Sequence, residues 1–300
     1  MQNFIRKSWP DVLVVLGFLV LSLVYFFTPL SQGLVLGGHD TVAGMGQGHE
    51  QELFNQATGE TTRWTNSIFS GMPTYQISPS YGPSHLLGRI GWVLGLFTTG
   101  PLRYVFFYLF GFYLLMRSLS LRPAISALGS MLWAFSSYFF IIIAAGHIWK
   151  VNTLGYIPPT IAGLVLAYRG KYLWGCLVTA LFTALQILSN HIQMSYYFAF
   201  LMGFICLAYG VDAVLKHQLK AWGKATAAIV LGGLLGIAAN LPNLYHTYDY
   251  TQYSLRGPSE LSAPAPAAGA EASSRPTGGL DRDYITAWSY GIDETMTLLI

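Results

Sequence analysis

Residues 12–30, with the sequence VLVVLGFLVLSLVYFFTPL, contain no charged side chain and follow the basic pair Arg6 and Lys7. At about 1.5 Å per residue, a helix of this length spans about 28 Å, close to the thickness of the hydrocarbon core of a bilayer. The apolar stretch is longer than that of a typical secretory signal, and no small-x-small cleavage site follows it. The stretch therefore predicts an uncleaved first transmembrane helix.

Six further apolar runs follow, and the chain of 300 residues is 53% hydrophobic and only 10% charged. A soluble domain carries about 25% charged residues, so this composition excludes a compact soluble enzyme. We therefore predict an all-α polytopic membrane protein with about seven transmembrane helices. The predicted spans are residues 12–30, 102–116, 124–145, 154–168, 172–189, 194–211 and 225–241.

The distribution of charge predicts the orientation of these spans. With the N-terminus in the cytoplasm, nine of the sixteen Lys and Arg residues fall on the cytoplasmic side, and the short outer loops contain only Lys150. Basic residues in short loops favour the cytoplasmic side. We therefore predict a multi-pass protein of the cell (inner) membrane with two long extracytoplasmic segments, residues 31–101 and 242–300, which hold eleven of the thirteen acidic residues.

These segments define the predicted organisation. Residues 1–30 form the N-terminus and first helix, and residues 31–101 form an outer loop in which apolar residues at helical spacing predict an interfacial helix over 86–97. Residues 102–241 hold six further spans. Residues 242–300 form a second outer segment, where the Ala-, Pro-, Ser- and Gly-rich stretch 257–279 predicts a flexible insertion. The final apolar run has no stop signal, so we expect the natural protein to continue.

Several kinds of site are excluded. The net charge of +3 is too small to predict a nucleic-acid partner. Cys176 and Cys206 both lie in apolar runs, which excludes a disulfide framework. His49 begins a zinc-protease-like HExxH pattern, but Leu53 occupies the position of its second histidine.

The strongest candidate is Asp40, in the sequence GGHD at residues 37–40, within ten residues of the outer end of the first helix. A carboxylate at headgroup level could reach both a lipid-linked phosphate and a hydroxyl group that arrives from outside. As a general base it would accelerate the reaction about 10²- to 10⁴-fold. The alternative is a solvated turn after two glycines.

Basic residues follow the outer ends of later runs. His147 and Lys150 are three residues apart and would share one face of a continuing helix, where they could hold a phosphate. The alternative is a snorkelling lysine beside the interfacial Trp149. His191 lies at the next outward turn, which could equally be an ordinary polar loop.

A metal site is a further option in the first outer loop. His39, His49 and His85 share this loop with Glu50 and Glu52, and together they could bind a divalent metal. Their irregular spacing favours ordinary exposed histidines.

The longest recognisable stretch reads WTNSIFSGMPTYQI, at residues 64–77, and shorter ones are GGHD at 37–40, NHIQ at 190–193 and YSLRGPSEL at 253–261. These stretches resemble the bacterial YfhO family. The matches run along nearly all of this chain, whereas members of the family are longer. The chain therefore resembles the N-terminal portion of that family.

The resemblance implies a glycosyltransferase of the GT-C type, which takes a sugar from a polyprenyl-phosphate carrier and transfers it to an extracytoplasmic glycan or polymer. It implies Asp40 as catalytic base, with Glu50 as the reserve candidate. The expected partners are this donor, the acceptor and membrane lipids, and no cofactor is predicted because the donor arrives activated. The candidate substrate-binding residues are His39, Trp64, His147, Lys150, His191 and Arg256.

Two rival functions remain open. A transporter or flippase for lipid-linked or polymer substrates predicts ionisable or broken sites at mid-membrane. A non-enzymatic envelope assembly protein predicts that Asp40→Asn leaves function intact.

Overall fold

The computed structural model describes residues 2–79 and 81–254, together with five single residues between 283 and 291. Two compact units are present, residues 1–241 and residues 242–300. The described part is mostly helical. The first unit begins with α1 (Gln2–Tyr25), α2 (Phe27–Ser31), α3 (His39–Thr58), β1 (Trp64–Thr65), β2 (Met72–Pro73) and α4 (Gly82–Leu94). It continues with α5 (Gly100–Ser118), α6 (Pro123–Ala134), α7 (Ser137–Ala145), α8 (Ile148–Tyr168), α9 (Tyr172–Leu188), α10 (Ile192–Leu215) and α11 (Leu219–Ala238). In the second unit, α12 (Leu241–Thr251) is described.

Among the residues that the structure describes, three helices are long and apolar enough to cross a membrane. They are α1 over Ser8–Tyr25, α10 and α11, and the bent pair α6 and α7, which meet at 47°, becomes a fourth crossing if it forms one broken span. These helices indicate a membrane-embedded protein. The predicted total of seven crossings is not confirmed.

Three predicted spans, which form α5, α8 and α9, account for the difference. Helix α9 has only 17 residues, and α5 and α8 lie at the centre of the first unit. Both are long enough to cross a bilayer, but α8 carries Pro158 and Pro159 and α5 is rich in tyrosine. Buried residues of α5, such as Phe106 and Tyr108, form a core with α1, α6 and α7. A helix that is surrounded by protein does not need the uniformly apolar surface of a helix that faces lipid.

Helix α9 packs closely between α8 and α11. A Cβ atom at Gly163 of α8 would lie 2.5 Å from Thr179 Oγ1, and one at Gly232 of α11 would lie 2.6 Å from the carbonyl oxygen of Cys176. Small residues let helix backbones approach each other in this way. These contacts join the later turns of α8 to the first half of α9, and α9 to α11.

The first outer loop is ordered by secondary structure of its own. Strands β1 and β2 pair antiparallel, with Trp64 opposite Pro73. Helix α4 covers most of the predicted interfacial helix and ends at Leu94, followed by Leu96 and Phe97 with positive φ. Helix α3 begins inside the GGHD segment, which the sequence predicted to be either a catalytic motif or a solvated turn. The predicted insertion 257–279 lies outside the described residues.

Candidate functional site

The GGHD segment crosses the backbone that joins α7 to α8. A Cβ atom at Gly38 would lie 2.3 Å from the backbone nitrogen of Gly146 and 2.7 Å from the carbonyl oxygen of Ala144. Gly146 ends α7 in the left-handed conformation with φ of +85°, which favours glycine. The hydroxyl of Thr41 donates to the Gly146 carbonyl at 3.1 Å. This close crossing brings the first turn of α3 against the start of α8.

The crossing places Asp40 beside His147. Asp40 Oδ2 lies 2.9 Å from His147 Nε2, and Oδ1 lies 3.5 Å from Nδ1 of the neighbouring His39. Asp40 and His147 are about half exposed, whereas His39 is 95% exposed. The carboxylate therefore has one firm partner, contributed by a helix more than one hundred residues away in the sequence.

A cavity of about 1480 Å³ opens beside this pair. Most of the first four turns of α3, the start of α8, the segment 76–78, His85 and His191 line it. The lining contains one lysine, two acids and four histidines, so its net charge depends on the protonation of the imidazoles. These residues are Asp40, His49, Glu52, His85, His147, Lys150 and His191.

Lys150 and His191 supply donors to the cavity. Lys150 makes no ion pair within the described part of the chain, and its Nζ lies 5.3 Å from the centre of the Tyr138 ring. His191 precedes α10, and its Nδ1 accepts a hydrogen bond from the amide of Met194 at 3.3 Å. Burial lowers the pKa of His191, and Lys150 and His147 lower it further. The neutral imidazole therefore carries its proton on Nε2.

Glu50 does not line the cavity. Its Oε2 accepts hydrogen bonds from Thr65 Oγ1 at 2.7 Å and from the amide of Asn66 at 2.6 Å, and its Oε1 accepts from Asn66 Nδ2 at 3.0 Å. The bond from Thr65, followed by those from Asn66, lowers the pKa of Glu50. A general base works best with a pKa near the working pH, so this environment suits a structural contact better than proton transfer.

Three other candidates lie apart from this cavity or outside the described residues. Trp64 packs its ring against Gly71, where a Cβ atom would lie 2.7 Å from Cζ2, and its Nε1 donates to Asn66 Oδ1 at 3.1 Å. His39 does not line the cavity, although it neighbours Asp40. Arg256 lies outside the described residues.

The metal hypothesis for the outer loop lacks a matching cluster. Within the described ranges, no group of three His, Cys, Asp or Glu side chains is placed to hold a metal ion. His49 instead contacts Glu52 at 4.0 Å, one turn along the same helix.

The amide wall of the cavity was missed at the sequence level. Gln47, Gln51 and Asn55 of α3 line the cavity, and Gln51 is 6% exposed and donates from Nε2 to the Thr62 carbonyl. Their spacing of four residues is the signal that would have predicted a polar helix face.

Compared with known proteins, the chain matches no family model, no curated protein and no solved structure.

Proposed function

We propose that this protein is an integral-membrane glycosyltransferase that moves a sugar from a polyprenyl-phosphate carrier to an extracytoplasmic glycan or polymer. The observation that carries the proposal is the half-exposed carboxylate of Asp40 on the wall of a large cavity that also contains Lys150. A base and a cation that share one cavity are what a transfer from a phosphate leaving group requires.

The ends of the membrane helices support this assignment. His147 follows the end of α7 by two residues, and His191 immediately precedes α10, so both lie at the ends of candidate spans. With the predicted orientation, these ends face outward. A lipid-linked donor would present its phosphate at this level, where a charged group does not bear the cost of a position at mid-membrane.

In the proposed reaction, Asp40 accepts the proton of an acceptor hydroxyl. The acceptor oxygen forms a bond to the anomeric carbon of the sugar, and the bond between that carbon and the phosphate oxygen breaks. The electron pair of the broken bond stays with the polyprenyl phosphate. Lys150 and the Nε2–H group of His191 stabilise the charge that develops there.

Transport is the second candidate, and the bent pair α6 and α7 favours it. A broken span is typical of transporters, whose substrate sites lie at the break. The break at Phe135 and Ser136 does not line the cavity. In this part of the chain, the lining starts only at Gly146, after the end of α7. This position favours a transferase.

The decisive experiment uses the full protein in membrane vesicles supplied with a panel of polyprenyl-phosphate sugars and crude envelope glycan. We expect Asp40→Asn to reduce release of the carrier phosphate by about 10²-fold or more. Glu60→Gln, in the same outer loop, is the matched control and should retain the wild-type rate. Equal turnover by wild type and Asp40→Asn would overturn the proposal, and movement of an intact donor across the bilayer would support transport instead.

A further inference from the structure

We infer that His147 is a positioning residue for Asp40 and holds its carboxylate by donating a hydrogen bond. This inference rests on the proposed function and gives His147 a different role from the phosphate contact that its sequence position suggested. The distinguishing geometry is the 2.9 Å contact between His147 Nε2 and Asp40 Oδ2. At this distance the imidazole N–H group donates to the carboxylate.

The backbone fixes this pair from both sides. Asp40 lies in the first turn of α3, two residues after Gly38, and His147 follows Gly146. The two glycines make the close crossing described above, and the bond from Thr41 to Gly146 reinforces it. Because both side chains leave from one rigid crossing, the N–H group of His147 can hold Oδ2 in place. Oδ1, whose nearest basic nitrogen is His39 Nδ1 at 3.5 Å, is then free to accept the proton of the acceptor.

The protonation state of His147 decides how well this arrangement works. A neutral imidazole donates one hydrogen bond and leaves Asp40 a competent base. A protonated imidazole at 2.9 Å places a full positive charge beside the carboxylate, which favours the ionised form and makes Asp40 a weaker base. A His147 that held phosphate would act in the opposite way, since only the protonated form carries the charge that attracts a phosphate.

The two roles therefore predict opposite pH dependences. For a positioning residue, activity rises as the pH increases through the titration range of the imidazole, whereas for a phosphate-binding cation it falls. The other titratable groups near this pair are His39, which adjoins Asp40, and a set that lines the cavity. That set comprises His49, Glu52, His85, Lys150 and His191.

The test measures kcat and KM for the donor between about pH 5 and 8, across the ordinary range of histidine, in a His191→Gln background that removes the titration of that neighbour. We expect activity to rise with pH when His147 is present. His147→Gln, which keeps an N–H donor, should retain most of kcat and lose this rise. His147→Leu should lower kcat about tenfold or more with little change in KM for the donor.

His217→Asn is the control for the replacement of a histidine. His217 lies between α10 and α11 with φ of +55°, a conformation that asparagine tolerates, and it does not line the cavity. Activity that falls with rising pH, or a His147→Leu variant whose only defect is a raised KM for the donor, would overturn the inference. If Asp40→Asn retains full activity, the proposed function itself fails. If Asp40→Asn is inactive while His147→Leu has wild-type kcat, only the positioning role fails.

Discussion

Replacing Gly38 with alanine should separate the two halves of the candidate site. The added Cβ atom would lie 2.3 Å from the nitrogen and 2.4 Å from the Cα of Gly146. Both are backbone atoms. To lengthen these contacts to an ordinary 3.4 Å, the two backbone segments must therefore move apart by about 1 Å. A movement of this size stretches the 2.9 Å contact between Asp40 and His147 beyond hydrogen-bond length. Overpacking of this kind costs about 1–3 kcal/mol of stability, and a 1 Å displacement at a reacting group costs about 10²-fold in rate.

The neighbouring glycine provides a matched control. A Cβ atom at Gly37 would meet only Val42 Cγ2, at 3.6 Å, which is an ordinary contact. We therefore expect Gly37→Ala to retain the thermal stability and turnover of the wild type, whereas Gly38→Ala lowers both quantities. The measurements are thermal unfolding in detergent and release of polyprenyl phosphate from the lipid-linked donor. Equal values for the two variants would refute the idea that the crossing at Gly146 positions Asp40.

Two further predictions concern contacts outside the cavity. Asp11 accepts hydrogen bonds from Arg117 Nε at 2.6 Å and from Tyr113, and both members of the ion pair are about one-third exposed. Asp11→Asn should therefore lower the free energy of unfolding by about 1–3 kcal/mol. Breaking the exposed ion pair of Asp212 with Lys216 should lower it by less than about 0.5 kcal/mol. Equal decreases for the two changes would contradict this ranking. Hydrogen bonds lower the pKa of Glu50. The stability that these bonds give the loop is therefore fully present above the ordinary pKa of 4.5, and it is lost as the pH falls through the lowered pKa. Hydrogen exchange should show acid-dependent loss of protection at the amide that donates to this carboxylate, and Glu50→Gln should abolish that dependence.

The hydrophobic runs predicted most helices well, because apolar segments of this length have few alternatives to a helix. The predicted span 172–189 corresponds to α9, and 194–211 lies within α10. The span 124–145 failed as a single helix, since Ser136 adopts an extended conformation and separates α6 from α7. Pro101 occupies the first turn of α5, where its missing N–H group is tolerated.

The candidate site could be predicted only in part. Helix ends and loop orientation indicated that Asp40, His147, Lys150 and His191 lie on one side of the membrane, but nothing in the local sequence indicated that they share a cavity. Their meeting depends on the close approach of Gly38 to the backbone that precedes His147. A glycine can permit such an approach, be required by a positive φ, or have neither role, and sequence alone does not distinguish these cases.

Helix α3 is stabilised by its contacts more than by its own sequence. Gly44, Gly46 and Gly48 lie inside it, and each is less favourable than alanine by about 1 kcal/mol. Within the described residues, a Cβ atom at Gly44 or Gly46 would meet nothing within 4 Å, so packing does not require these glycines, although all three line the cavity. The cost is offset at the crossing with Gly146 and by the hydrogen bonds that Glu50 accepts from the loop. Because the base candidate lies in the first turn of a helix of low intrinsic stability, a change at either contact should affect the position of its carboxylate before it unfolds the membrane helices.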